Sequence, residues 1–160
     1  MKKFYLIMLG ILLIGLSGCK EKTTLQAKKV VKNTESGLPL LVAQAFEEKY
    51  PDQKATSWKK DDLGYWEVIY EKDGKKYHAD FTIEGAWIDT ENSIKKEELP
   101  DAVKKTIEEK YPDLELVRIG HVVSSRHESD FYDVEFRKEE KEMDVEIKED
   151  GTVITVKEKS

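Results

Sequence analysis

Two stretches of this chain carry the same spacing of apolar positions. Leu38, Val42, Ala45, Phe46 and Tyr50 recur at i, i+4, i+7, i+8 and i+12, and Leu99, Val103, Thr106, Ile107 and Tyr111 repeat the series. That spacing is one apolar stripe along a helix. Pro39 and Pro100 suit a first helical turn, where a missing N–H removes no bond. Pro51 and Pro112 stop the helices, because the residue before a proline is pushed out of the α region. Each helix therefore ends in the hexapeptide EEKYPD, at 47–52 and at 108–113.

Period-two alternation follows each helix. Trp66, Val68 and Tyr70 alternate with Tyr65, Glu67 and Ile69, and Tyr77, Ala79 and Phe81 alternate with His78, Asp80 and Thr82. Asp73-Gly74 between them is a two-residue hairpin signal. It sets Tyr70 opposite Tyr77, Val68 opposite Ala79 and Trp66 opposite Phe81, an apolar set on one face. The same reading sets Phe136 opposite Met143, Val134 opposite Val145 and Tyr132 opposite Ile147. KATSWK and LELVRI supply a first strand in each copy, and Glu84-Gly85 and Asp150-Gly151 supply turns to a last one. The offset between copies is 61 residues at the helices and 66 at the strands, so the second copy holds five extra residues between Ile119 and Phe131. They are expected to lengthen a hairpin.

The expected fold is α+β: two tandem repeats, each a helix followed by a four-stranded antiparallel sheet, at 38–94 and 95–160. A helix covers one sheet face with its apolar stripe. The helices lie on one sheet face and the other face is left open.

The ends add a location. MKKFYLIMLGILLIGLSGC has a charged start, a short apolar run and small residues before Cys19, the pattern of a secretory signal over 1–18. LSGC resembles the bacterial lipobox, which implies lipidation at Cys19 and an anchor in the membrane through its acyl chains. Residues 19–37 read as the lipidated cysteine and a polar tether. Lys20 follows the cysteine, so no aspartate stands there as an inner-membrane retention signal. The expected location is the cell envelope, lipid-anchored at the outer membrane, on its periplasmic side or at the cell surface. Cys19 is the only cysteine, so no disulfide is available. The formal net charge is −6, and −8 once 1–18 with Lys2 and Lys3 are removed. Such an acidic domain excludes a nucleic-acid backbone as ligand.

The open face gathers the candidate chemistry. It is expected to carry Tyr65, Glu67, Ile69, His78 and Asp80 from the first copy and Phe131, Asp133, Glu135, Asp144 and Glu146 from the second. Trp87 joins them if Glu84-Gly85 is a two-residue turn, and points inward if the turn is wider. Glu67 opposes Asp80, Glu135 opposes Asp144 and Asp133 opposes Glu146, and like charges directly opposite destabilise a sheet. Two accounts stand: a solvated face whose acids are relieved by lysines and Arg118 on neighbouring strands, or a docking surface for a basic partner or a cation. Calcium prefers such oxygens, yet no DxDxDG-type loop is present. His121 and His127 flank the extra segment without a third ligand. Ser124, Ser125 and His127 lie close together, but no G-x-S-x-G turn positions a nucleophile. HExxH, CxxC, GxGxxG and P-loop patterns are absent. No catalytic constellation assembles, and no cofactor or resident metal is implied.

The LP-x-x-V helix, the KYPD stop, the YWEV strand, the DGK turn and the EGAW turn together resemble the PepSY-like family, also called β-lactamase-inhibitor-like. The resemblance covers 38–157. It implies an exported protein with the architecture of β-lactamase inhibitory protein, whose open sheet surface docks a partner. The second copy departs from the pattern, with Glu139-Glu140 in place of the Asp-Gly turn and Val153 in place of a tryptophan. The expected function is a non-enzymatic, lipid-anchored envelope protein that docks an exported protein, in the manner of an inhibitor, through the open face. The alternative is a metal or small-ligand carrier using the open-face carboxylates and histidines.

Overall fold

A computed structural model of the chain describes residues 33–159. The expected signal segment over 1–18 and the expected lipidation at Cys19 lie outside the described residues. Helix α1 spans Leu40–Lys49, and strands β1 (Ala55–Lys60), β2 (Trp66–Lys72), β3 (Lys75–Phe81) and β4 (Trp87–Ser93) follow it. After a 3-10 turn at Lys96–Glu98 come helix α2 (Asp101–Lys110) and strands β5 (Glu115–Ser124), β6 (Phe131–Lys138), β7 (Lys141–Lys148) and β8 (Val153–Lys159). Among the described residues no helix is long and apolar enough to cross a membrane.

The strands form one antiparallel sheet in the order β1-β2-β3-β4-β5-β6-β7-β8. This corrects the expectation of two tandem helix-plus-four-strand repeats. The reason lies in the extra residues of the second copy. They do not protrude as a hairpin arm; they extend β5, and Gly120–Ser124 pair with Ser93–Asp89 of β4. Ser125 completes the join, its amide donating to the Ile88 carbonyl at 2.8 Å. The sheet therefore runs across both copies without an internal edge.

Within that sheet the inner hairpins keep the expected register. Tyr70 pairs with Tyr77 and Val68 with Ala79, and Phe136 pairs with Met143 and Val134 with Val145. Asp73 and Gly74 both take positive φ, as the two-residue turn requires. Glu139 also takes positive φ, 56°, although it is not a glycine.

Each helix lays its stripe on this face of the sheet. Leu38, Val42 and Phe46 pack on Val68, Tyr70, Ala79 and Phe81, and Leu99, Val103 and Ile107 pack on Ile119, Val134, Phe136, Val145 and Ile147. Full burial of such side chains is worth about 1.5–3 kcal/mol each. The prolines act one residue earlier than expected: Pro39 and Pro100 are caps whose carbonyls accept from Ala43 and Lys104, both at 3.0 Å. Tyr50 and Tyr111 close the helices. Tyr50 then reaches the sheet, sharing a hydrogen bond with the hydroxyl of buried Thr90.

Candidate functional site

The face away from the helices is built by the other half of the alternation. Register carries one row across it from Lys59 through Glu67, Asp80 and Asp89 to Ser124. A second runs from Ile69 through His78, Glu91 and Val122 to Phe131, and a third from Ser93 through Gly120 and Asp133 to Glu146. Carboxylates therefore meet on neighbouring strands at the centre of the sheet.

Arg118 is the main counter-charge. Its guanidinium donates to Glu91, to Asp133 at 3.0 Å and, through Nε, to Glu135 at 3.4 Å. Gly120 makes room for this, since a Cβ there would overlap the Glu91 carboxylate. Lys157 pairs with Glu146 at 3.2 Å and Lys159 with Asp144 at 3.0 Å. The acids of β6 and β7 are thus answered by cations on β5 and β8, as the solvated-face account expects.

The acids of β2 and β3 are answered less completely. Glu67 has Lys59 at 3.3 Å and His78 Nδ1 at 2.8 Å, and Asp89 accepts from Arg126 at 3.1 Å. Asp80, between them, has no hydrogen-bond or ion-pair partner among the described residues, and its Oδ1 is buried. Burial, then the charges of Asp89 and Glu67, push its carboxyl up to about 7. Burial and Glu91 raise Asp133 to about 6 against the pull of Arg118. Asp80 and its neighbours floor a depression of about 290 Å³ rimmed by His78, Ser93 and Arg118. Among the described residues no group of three or more His, Cys, Asp or Glu side chains is arranged to hold a metal ion.

A family model described as "Putative beta-lactamase-inhibitor-like, PepSY-like" matches residues 64–155, more than half of the chain. The chain belongs to the PepSY-like family. Solved structures share the fold of this PepSY-like chain at low identity. A BLIP-like protein from Bacteroides fragilis is 19% identical with a TM-score of 0.65, the match covering 81% of this chain and 89% of that one. A DUF2874 family protein from Bacteroides uniformis is 17% identical with a TM-score of 0.66, covering 75% and 88%. Another from Bacteroides ovatus is 16% identical with a TM-score of 0.67, covering 75% and 86%. A search of curated proteins gives no match.

The PepSY-like sheet brings Glu67, Ile69, His78, Asp80, Asp133, Glu135, Asp144 and Glu146 onto the open face, with Tyr65 just before β2. Two aromatic residues are placed differently. Trp87 points inward, because the turn is wider than two residues: Thr82 accepts from Gly85, and its amide donates to Ala86. The pairing also shifts between Asp80 and Phe81, setting Trp87 opposite Phe81. Its indole N–H donates to Thr90 at 2.9 Å, and Lys49 lies 3.5 Å over its ring. Phe131 stays on the open face but is buried, with the His127 ring edge against it at 4.9 Å. Sequence reasoning passed over Asp89 and Glu91. Their alternation in WIDTENS signals a strand, and the hairpin register sets Asp89 opposite Asp80 and Glu91 opposite His78, so the sequence held the signal that places both on the open face.

Proposed function

We propose that this PepSY-like protein is a non-enzymatic component of the cell envelope, held by lipid on Cys19, that docks an exported protein on the open sheet face. The docking element is a lysine or arginine side chain on the partner, seated among Glu67, Asp80, Asp89 and Glu91. The observation that carries the reading is Asp80, whose carboxyl is desolvated and unpartnered at the floor of an acidic depression. A desolvated carboxylate is destabilising alone and favourable once a cation pairs with it. An incoming cation completes what Arg118 completes on β5 and β6. The family's description as β-lactamase-inhibitor-like fits a protein partner and directs the first choice of candidates.

The test is binding of residues 20–160 to purified exported proteins, a β-lactamase panel among them, by calorimetry at two salt concentrations. A partner is expected to lose about tenfold or more in affinity on Asp80→Lys, because a like charge then faces its cation. Glu67→Gln should weaken it less. If a saturable partner binds Asp80→Lys and the parent chain equally, the docking site lies elsewhere.

A further inference from the structure

We propose that a cavity at the β6–β7 turn, on the helix side of the sheet, binds a small carboxylate that carries one aromatic ring. The proposal is independent of docking on the open face. Leu114, Phe136 and Met143 line the apolar part of this cavity, which measures about 160 Å³. An apolar cavity of about 150 Å³ accepts benzene, so the volume suits one six-membered ring.

The other end of the same sheet shows what shape belongs there. Three rings lie in sequence against β2 and β3: Tyr50 tilted by 34° against Tyr70 at 4.9 Å, and Tyr70 stacked on Tyr77 at 5.2 Å with planes 17° apart. On β6 and β7 the series begins at the same spacing, with Tyr111 on Phe136 at 4.9 Å. It then stops. Met143 pairs with Phe136 where Tyr77 pairs with Tyr70, and a methionine leaves the third ring position open. A thioether on an unbranched chain also shifts readily to admit a ring and makes favourable contact with it.

The rim selects the charge. Lys138 and Lys141 flank the cavity opposite one another across the turn, and neither has an ion-pair partner among the described residues. Arg137 is shared between Glu115 and Glu142, each at 3.9 Å. Glu158 pairs with Met143 on the β8 side, so a ligand carboxylate belongs beside the two lysines.

Titration of the full chain with phenylacetate, read by backbone amide shifts in nitrogen-15 spectra, tests the site. Saturable shifts are expected at Leu114, Phe136 and Met143, with benzyl alcohol binding about tenfold more weakly. Met143→Tyr supplies the third ring internally and should weaken phenylacetate at least about tenfold, while Met143→Leu keeps the space and the binding. Lys138→Gln with Lys141→Gln, both exposed changes, should erase the preference over benzyl alcohol. Absence of saturable shifts at these amides overturns the proposal. Undiminished binding by folded Met143→Tyr overturns the site, and equal affinity for benzyl alcohol and phenylacetate in the parent chain overturns the charge assignment.

Discussion

Arg118 of β5 holds Glu91 of β4 across the strand pair that joins the two halves of the sheet. The same guanidinium reaches Asp133 and Glu135 on β6, so one cation ties three strands on the face that no helix covers.

Arg118→Met should therefore destabilise by about 1–2 kcal/mol, since the pair is half-buried and part of its energy is screened. Arg118→Lys should recover only part of this, because an ammonium cannot fork to three carboxylates. Gly120→Val should act on the same bond by displacing Glu91. Urea unfolding at neutral pH separates the three variants.

Asp80 gives the molecule a measurable pH dependence. Its folded carboxyl titrates near 7, above its ordinary 3.8, so the folded chain binds this proton more tightly than the unfolded one. Stability from this group is highest below 3.8 and falls as pH rises toward about 7. Asp133, raised to about 6, acts in the same direction. Asp80→Asn should flatten the decline and raise the melting temperature at pH 8 relative to the parent. A decline of unchanged slope would assign the effect to other groups.

Gly85 and Gly151 sit at matched turns, with φ of 85° and 83°. A Cβ on either would lie 2.7 Å from a helix carbonyl, of Leu41 or of Ala102. Alanine at either position combines strained backbone with a clash and should cost about 2–3 kcal/mol. Gly74→Ala meets nothing within 4 Å and should cost only the backbone term, about 1 kcal/mol. Thermal unfolding of the three variants distinguishes clash from conformation.

Glu139 occupies a left-handed position without being glycine. Glu139→Gly should stabilise by about 0.5 kcal/mol, the strain relieved being larger than the entropy added to the unfolded chain. Chemical denaturation resolves that gain if the midpoint alone shifts.

Much of this arrangement is legible in the sequence where a local signal is strong. The helix stripes ending at Tyr50 and Tyr111 are clear because prolines bound them. The Tyr70–Tyr77 and Phe136–Met143 registers are clear because a two-residue turn and a two-residue period leave no freedom. The union of the halves is not legible, because it depends on pairing between β4 and β5, which are separated by helix α2. Gly120 and His121 also interrupt the apolar alternation of β5, so its extension looks like a loop. Trp87 is misplaced for a related reason: Glu84-Gly85 looks like a complete turn, but Thr82 and Ala86 close it. The wider turn and the pairing shift at Phe81 offset one another, so Trp87 changes face while Asp89 opposite Asp80 and Glu91 opposite His78 keep the register that a two-residue turn also gives.

The seam between β4 and β5 has a consequence for self-association. Because it is closed, among the described strands only β1 and β8 lie at an edge of the sheet, and both are poor templates. Lys59 and Lys60 stand on one, Lys157 and Lys159 on the other, and the pairing of each with its neighbour is irregular at one point. A chain severed between Ser93 and Lys95 would create two further borders, each complementary to the other and to those of the next molecule. Each fragment would then carry one competent edge and could pair once, with the other fragment or with a second copy of itself. The short β4–β5 ladder thus keeps the two best pairing edges of the sheet satisfied within one molecule.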